Sequence, residues 1–391
     1  MSAHLLSAGG VSGETRHGAL RDMFVLGVET SCDDTAAAVV RRRADGGCDI
    51  LANRVWAQHE DHAAYGGVVP EIAARSHVER LDRTVIDTIA DSGVAFGDLD
   101  AVAATAGPGL VGGVMVGLTT AKAIALAHSK RLVPVNHLEG HALSARMTEA
   151  APFPYLLLLI SGGHTQLISV DGVGAYRRLG STIDDAAGES FDKTAKLLGL
   201  GQPGGPRVEA AAVGGRRDRF AFPKPLDKRE GCDFSFSGLK TAVRDAAAGL
   251  GAPTGQDIAD LAASFQFAAA RHLAMRTEKA MTMVEDARAQ DKQEEAAPRR
   301  LVVAGGVAAN CAVKSMLDEL CRRRGWAMVV PPPKYCTDNG AMIAWAGAER
   351  LAAGLAPPHD AAMALAPRAR WPLAPPPAGR EIGGGRKGPK A

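Results

Sequence analysis

Two histidines four residues apart, in Asn136-His137-Leu138-Glu139-Gly140-His141, offer the clearest chemistry in the chain. Positions i and i+4 share one face of a helix, so both imidazoles can grip a single metal ion. The six cysteines are scattered, with no Cys-x-x-Cys pair, so a metal here is held by nitrogen and oxygen. A third ligand of oxygen type would leave an open site with exchangeable positions, and Cys336-Thr337-Asp338-Asn339-Gly340 supplies a carboxylate from a later element. A lone His-x-x-x-His is more often a satisfied core or surface pair. The metal reading draws its strength from a set of glycine-rich turns suited to phosphate.

The position of Glu139 argues against the first reading a motif comparison would offer. In the zinc-peptidase pattern His-Glu-x-x-His, the glutamate directly follows the first histidine and serves as general base. Here it stands two residues after His137, so it points about 200° around the helix. A carboxylate on that face does not reach a metal-bound water.

The phosphate-like turns come in strand-turn contexts. Ile160-Ser161-Gly162-Gly163-His164 follows the apolar run Tyr155 to Ile160, so Leu159 through Gly163 can present backbone amides to a nucleotide. Gly305-Gly306 followed by Asn310 is a second strand-to-helix glycine turn, where Asn310 can bond a polar ligand edge. Pro203-Gly204-Gly205-Pro206 reads as a rigid loop, with Gly205 allowing close approach and Glu209 able to accept ribose hydroxyls. Asp192, in Phe191-Asp192-Lys193-Thr194, opens a helix and offers the same service; for Asp192 and Glu209 a cap or a surface charge is the plainer reading. Asp33 and Asp34 are adjacent carboxylates that can orient a reacting group or a magnesium-bound phosphate, or simply cap a turn.

The elements that position these residues follow a repeated plan. Phe24 to Val40 is an apolar strand, a small polar turn and a second apolar strand, and Tyr155 to Val170 repeats it. Two such hairpins imply a duplicated α/β domain with a cleft between its halves. Between and after them the spacing predicts a helix over 72–91, a buried strand over 101–106, a helix from the turn at 107–114 to about 129, and a helix that Pro134 and Asn136 start. The second half reads as a helix over 189–198, a basic loop over 214–230, a long helix over 256–289 and a buried strand over 301–304. Residues 286–300 are charged and read as a solvated loop. Residues 1–22 read as a disordered extension, and the Pro/Gly/Arg-rich stretch 368–391 as a disordered tail.

Bulk numbers fit this picture. The 391 residues suffice for two ordinary domains, and 46% hydrophobic with 23% charged residues describe a globular protein. Forty-five glycines exceed the usual share, as loops close to a ligand require. A net charge of +2 demands no polyanionic partner but permits one through a local patch. Arg216, Arg217, Arg219, Lys224, Lys228 and Arg229, interleaved with Phe220 and Phe222, are such a patch, suited to RNA phosphates and a stacked base. The apolar runs are too short to cross a bilayer. The scattered cysteines suit a reducing compartment, the cytoplasm first and the mitochondrial matrix second.

These segments together resemble the TsaD/YgjD family of tRNA threonylcarbamoyladenosine synthases, once labelled O-sialoglycoprotein endopeptidases. The resemblance rests on Gly27 to Asp33, Gly66 to Glu71, Asn136 to His141, Ser161 to Thr165, Phe191 to Thr194, Phe234 to Lys240, Gly305 to Asn310 and Cys336 to Asn339. They run in order over residues 24–350. The resemblance implies a two-lobed actin-like, Hsp70-like ATPase fold, with lobes at 23–138 and 139–350 and a C-terminal helix that packs back on the first. It implies transfer of threonylcarbamoyl from threonylcarbamoyl-AMP to N6 of adenosine 37 in tRNAs reading ANN codons, with release of AMP. His137, His141 and Asp338 would hold one divalent metal, Fe(2+) first and Zn(2+) second. Leu159, Ile160, Ser161, Gly162, Gly163, Asp192, Gly205, Glu209 and Asn310 would hold the adenylate or ATP, and Asp33 would be catalytic. Implied partners are tRNA, a smaller paralogous subunit on the first lobe and a small ATPase, with no membrane. The chain departs from the family pattern in having Asp34 in place of a glutamate and Lys314 in place of an arginine.

A sugar-kinase-like or chaperone-like ATPase would use the hairpins but not the histidines. A metallopeptidase would use the metal but not the phosphate turns, and a scaffold would need neither. Only the transferase uses all of them.

Overall fold

The computed structural model describes residues 21–375, apart from Ala64, Gly66 and residues 291–297. The expected N-terminal extension therefore lies almost wholly outside the described residues, as do residues 291–297 of the expected 286–300 loop and residues 376–391, whereas residues 286–290 end a long helix and Arg300 begins a strand.

The first half is a five-stranded sheet built from β1 (Met23–Glu29), β2 (Asp34–Arg42), β3 (Cys48–Ala57), β4 (Ala101–Gly107) and β5 (Arg131–Asn136), in the order β3-β2-β1-β4-β5. The first three strands are antiparallel, and β1, β4 and β5 are parallel. Pro134, which has no amide hydrogen, is tolerated because β5 is an edge strand. Helices α1 (His59–Ala63), α2 (Pro70–Ser92), α3 (Val111–Ala127) and α4 (His137–Glu149) follow the strands.

The second half repeats the plan. β6 (Tyr155–Ile160), β7 (Thr165–Gly172), β8 (Ala175–Ser181), β9 (Arg300–Ala304) and β10 (Ala327–Val329) form a sheet in the order β10-β9-β6-β7-β8. Again the first three strands are antiparallel, and the first, fourth and fifth parallel. Its helices are α5 (Ala187–Leu197), α6 (Gly204–Ala212), α7 (Ser237–Gly249), α8 (Gly255–Gln290), α9 (Cys311–Arg324) and α10 (Pro333–Cys336). The duplicated hairpin is thus one corner of a duplicated five-stranded sheet.

The last two helices among the described residues are α11 (Gly340–Ala352) and α12 (His359–Ala364). Although α11 follows the second sheet, it lies on the first, sharing one core with Val25, Ala38, Ala103 and Val135 through Ile343 and Trp345. Backbone meets backbone there: a Cβ on Gly27 would come within 2.4 Å of both Ala344 N and Gly340 O. This return path carries Asp338 from the second half to the first.

Three expectations need correction. Pro203–Pro206 is not a loop, because α6 begins at Gly204. Asp192 lies inside α5 rather than opening it. Residues 368–375, assigned to a disordered tail, are hydrogen-bonded along the first half: Arg368 N donates to Ala106 O at 2.8 Å.

Candidate active site in the cleft between the sheets

Asn136 ends β5 and caps α4, its side-chain oxygen accepting from Leu138 N at 2.9 Å, so His137 is fixed at the first helical position. Asn339 does the same for α11, accepting from Met342 N at 2.9 Å, with Asp338 immediately before it. Both ligand-bearing segments therefore have cap geometry rather than loop freedom. His141 Nε2 lies 3.1 Å from Asp338 Oδ1, and His137 Nε2 3.5 Å from the same oxygen. One ligand atom from each of the three residues falls within 4.8 Å of the others, so the trio could hold a metal ion.

Glu29, at the end of β1, is the residue that the sequence reading left without a role. Its Oε2 accepts from Thr105 Oγ1 at 2.6 Å and lies 2.9 Å from His137 Nδ1, while Oε1 accepts from Ser31 N at 2.5 Å. A proton on Nδ1 satisfies Glu29 and turns Nε2 toward Asp338, where a metal ion would replace the proton otherwise held between them. This carboxylate–histidine arrangement is what orients imidazole toward a metal. The signal was present as a lone carboxylate ending an apolar strand.

The charges support that assignment. Burial works against the imidazolium of His137, but Asp338 and Glu29 outweigh it and raise its pKa to about 9. Burial would raise the Asp338 carboxyl, yet His137 and His141 hold it well below the ordinary carboxylate range. Glu29 behaves likewise, lowered by His137 despite its burial. Three acidic and imidazole groups that need positive charge among them fit a divalent cation, which would displace the shared proton.

His137 and Asp338 form part of the wall of a cleft of about 400 Å³, with Glu29 and His141 buried behind them. Residues 31–34 and 108–110 line it from the first sheet, residues 161–164 and Gly306 from the second, with Thr337 and Asp338 between and residues 369–370 at one side. Ser161 N donates to His164 O at 2.8 Å, closing the turn. A Cβ at Gly162 or Gly163 would meet nothing within 4 Å, so the backbone there is open to a ligand. Gly188, in the first turn of α5, packs against that turn so closely that a Cβ would lie 2.7 Å from Gly162 Cα.

The remaining expected ligand residues gather elsewhere. Leu159 and Ile160 are buried in β6, so only their backbone adjoins the turn. Asp192 Oδ1 accepts from Gly204 N at 2.8 Å and so caps α6 from another helix. Glu209 Oε1 accepts from Cys311 N at 2.7 Å, at the start of α9. Asn310 caps α9 through Val313 N at 3.0 Å and donates to Gln266 Oε1 at 2.8 Å. Gly205 has open space around it. These four flank the α5–α6–α9 junction, connected to the cleft by the short turn Gly306–Ala309.

Asp33 and Asp34 both line the cleft. Burial, then Asp338, Asp33 and Glu29, push the Asp34 carboxyl up to about 8. Glu139 is turned away from the ligands, accepting from Tyr176 Oη at 2.9 Å and from Arg350 Nη1 at 3.1 Å. The general-base role excluded from its spacing is excluded by its position too.

The basic loop is less free than its composition suggested. Arg216 and Arg219 both bind the buried Asp260, Arg219 at 2.8 Å, and Phe220 and Phe222 pack against the core. Stacking of an RNA base on those rings is therefore not supported. Among the described residues no helix is long and apolar enough to cross a membrane.

Comparison with known proteins agrees with this architecture. The family model described as TsaD, tRNA N6-adenosine threonylcarbamoyltransferase, matches residues 49–345. The protein of that name from Chelativorans sp. is 58% identical over 367 residues, covering 94% of this chain and 99% of its own. That from Maricaulis maris is 56% identical over 373 residues, covering 95% and 97%. Among solved structures, T. kodakarensis HypF superimposes with a TM-score of 0.57 at 16% identity, over 86% of this chain and 48% of that one, which speaks for the fold alone. On these matches the chain belongs to the TsaD family of tRNA N6-adenosine threonylcarbamoyltransferases and is a transferase.

Proposed function

We propose that this protein transfers the threonylcarbamoyl group from threonylcarbamoyl-AMP to N6 of adenosine 37 in tRNAs reading ANN codons. The observation that carries the reading is one cleft with His137 and Asp338 on its wall, His141 buried directly behind them, and the open Ser161–Gly163 turn across from residues 31–34.

The donor is a mixed anhydride, so it is already activated and no protein nucleophile is needed. The adenine N6 forms a C–N bond to the carbonyl carbon, the bond from that carbon to the phosphate oxygen breaks, and AMP leaves. The enzyme's contribution is positioning and stabilisation of the developing oxyanion. The amides of Gly162 and Gly163 suit the phosphate of the leaving AMP, and the junction of Asp192, Gly205, Glu209 and Asn310 suits its nucleoside. Asp33, on the opposite wall, would orient the incoming amine and accept its proton. His137, His141 and Asp338 would hold a divalent ion, Fe(2+) first and Zn(2+) second, which supplies Lewis acidity to a carbonyl. Glu29, bonded to His137 Nδ1, would orient the ring so that Nε2 faces the ion, which displaces the proton there.

The two lobes of this reading are residues 23–138 and 139–350, with α11 returning to the first. A smaller paralogous subunit on the first lobe and a small ATPase complete it, in the cytoplasm. The test is transfer with purified protein, these partners, threonylcarbamoyl-AMP and unmodified tRNA. Modified adenosine and AMP should appear in equal amounts with wild type and vanish with His141→Ala. Equal yields from both proteins would remove the cleft from the chemistry.

A further inference from the structure

The turn that carries Asp33 and Asp34 into the cleft is bracketed by one imidazole. His77 lies fully buried on the inner face of α2. Its Nε2 is 3.1 Å from Cys32 O, and its Nδ1 is 2.7 Å from Thr35 Oγ1. A carbonyl only accepts, so Nε2 carries the proton and Nδ1 accepts from the threonine hydroxyl. Burial pushes the pKa of the ring down, which keeps it in this neutral form. Gln58 Nε2 in turn donates to Thr35 Oγ1 at 3.3 Å. A chain of donors thus runs from the end of β3 through Thr35 and His77 to Cys32 O, each bond polarising the next.

Residues 32 and 35 flank Asp33 and Asp34, both of which line the cleft. The start of the turn is held from α3: Leu110 N donates to Ser31 O at 2.7 Å, and Thr30 Oγ1 donates to Gly113 O at 2.9 Å. There is no slack there, because a Cβ on Gly113 would lie 2.3 Å from Thr30 O and 3.1 Å from His77 Nε2. His77 takes over where α3 leaves off, with one ring nitrogen on each side of the two acids.

We propose that His77 is a positioning residue for the transfer, setting Asp33 against the incoming amine by bracing Cys32 and Thr35; this rests on the role given to Asp33 above. The ring holds its two polar atoms at a fixed separation, so it fixes the span between the residues they grip. Without the brace the turn keeps its bonds to α3, and the glycine turn and the metal ligands are untouched. What is lost is the aim of the carboxylate, and a misplacement of about 1 Å costs about 10²-fold in rate.

Wild type, His77→Asn and His77→Gln are compared as full-length protein with its partners, with melting and bound metal measured beside transfer. An asparagine amide takes the place of Nδ1 and reaches Thr35 but falls short of Cys32 O. A glutamine amide nitrogen takes the place of Nε2 and can donate to Cys32 O. His77→Asn should therefore lower kcat about 10- to 100-fold while the donor KM and bound metal change little, and His77→Gln should recover most of the rate. In an Asp33→Asn background, His77→Asn should cost little further, since both act through one carboxylate. Thr35→Val removes the other arm of the brace at nearly constant shape, so it should also lower kcat and serves if His77→Asn does not fold. A folded His77→Asn or Thr35→Val protein with wild-type kcat, a His77→Gln protein as slow as His77→Asn, or losses that add fully to that of Asp33→Asn would overturn the positioning role. Wild-type kcat in Asp33→Asn alone would instead defeat the role of Asp33 on which it rests, and a wild type that transfers nothing would defeat the transferase reading.

Discussion

Replacing Glu29 with glutamine should weaken metal binding about 10- to 100-fold, the usual cost of losing the partner that orients a ligating histidine. The carboxylate takes part in three contacts, with Ser31 N at 2.5 Å, Thr105 Oγ1 at 2.6 Å and His137 Nδ1 at 2.9 Å. In glutamine the amide oxygen can keep Ser31, but the amide nitrogen accepts from neither Thr105 nor His137. It can only donate to Nδ1, which moves the ring proton to Nε2, the atom facing Asp338. Undoing that tautomer accounts for about 1.4–2.7 kcal/mol, at about 1.4 kcal/mol per tenfold. The assay is competition between the metal-free protein and a chromogenic chelator for Zn(2+) and Fe(2+), with melting of both forms as a control. Wild-type affinity in a folded Glu29→Gln protein would refute the orienting role.

Other residues separate function from support. Glu139→Gln should lower transfer only about tenfold and stability by about 1–3 kcal/mol, since Tyr176 and Arg350 lose a charged partner; a general base would cost about 10²–10⁴-fold. Arg217→Glu should weaken tRNA binding and flatten its salt slope by about one unit if the basic loop meets tRNA, whereas Arg219→Ala should lower stability through Asp260, read by urea melts. His272 is kept neutral, with Ser235 N donating to Nε2 at 3.1 Å, and burial followed by Arg276 lowers its pKa from 6.5 to about 4. Its folded pKa lies below the unfolded one, so its stabilisation is complete above pH 6.5 and declines as pH falls toward about 4; His272→Asn should flatten that decline in a melting series. Gly27→Ala should destabilise by at least about 1–3 kcal/mol, because the new methyl meets the α11 backbone rather than a movable side chain.

What the sequence made legible was what local pattern encodes. The two hairpins stood out because each pairs apolar strands around a small polar turn, and the His137/His141 face because helical spacing is regular. The third strand of each sheet escaped notice: β3 is half exposed along its length, and β8, Ala-Tyr-Arg-Arg-Leu-Gly-Ser, has no apolar run. The start of α6 looked like a loop because Pro203-Gly-Gly-Pro206 punctuates a chain, while its cap comes from Asp192 in a different helix. The sequence offers Asp192 and Glu209 as caps or surface charges first and ligand groups second, and Asn310 as a ligand group, but the partner each has on another element lies in no local window. Residues 368–375 were lost to their composition, since prolines and arginines resemble a tail until Ala106 and Asn136 are seen to hold them.

The most direct measurement is mass spectrometry of nucleosides from the tRNA of cells depleted of this protein and then supplied with wild type, His137→Ala or His141→Ala. Threonylcarbamoyladenosine should fall on depletion, return with wild type and stay absent with either variant, while total tRNA is unchanged. Undiminished threonylcarbamoyladenosine after depletion, or full restoration by the histidine variants, would contradict the account.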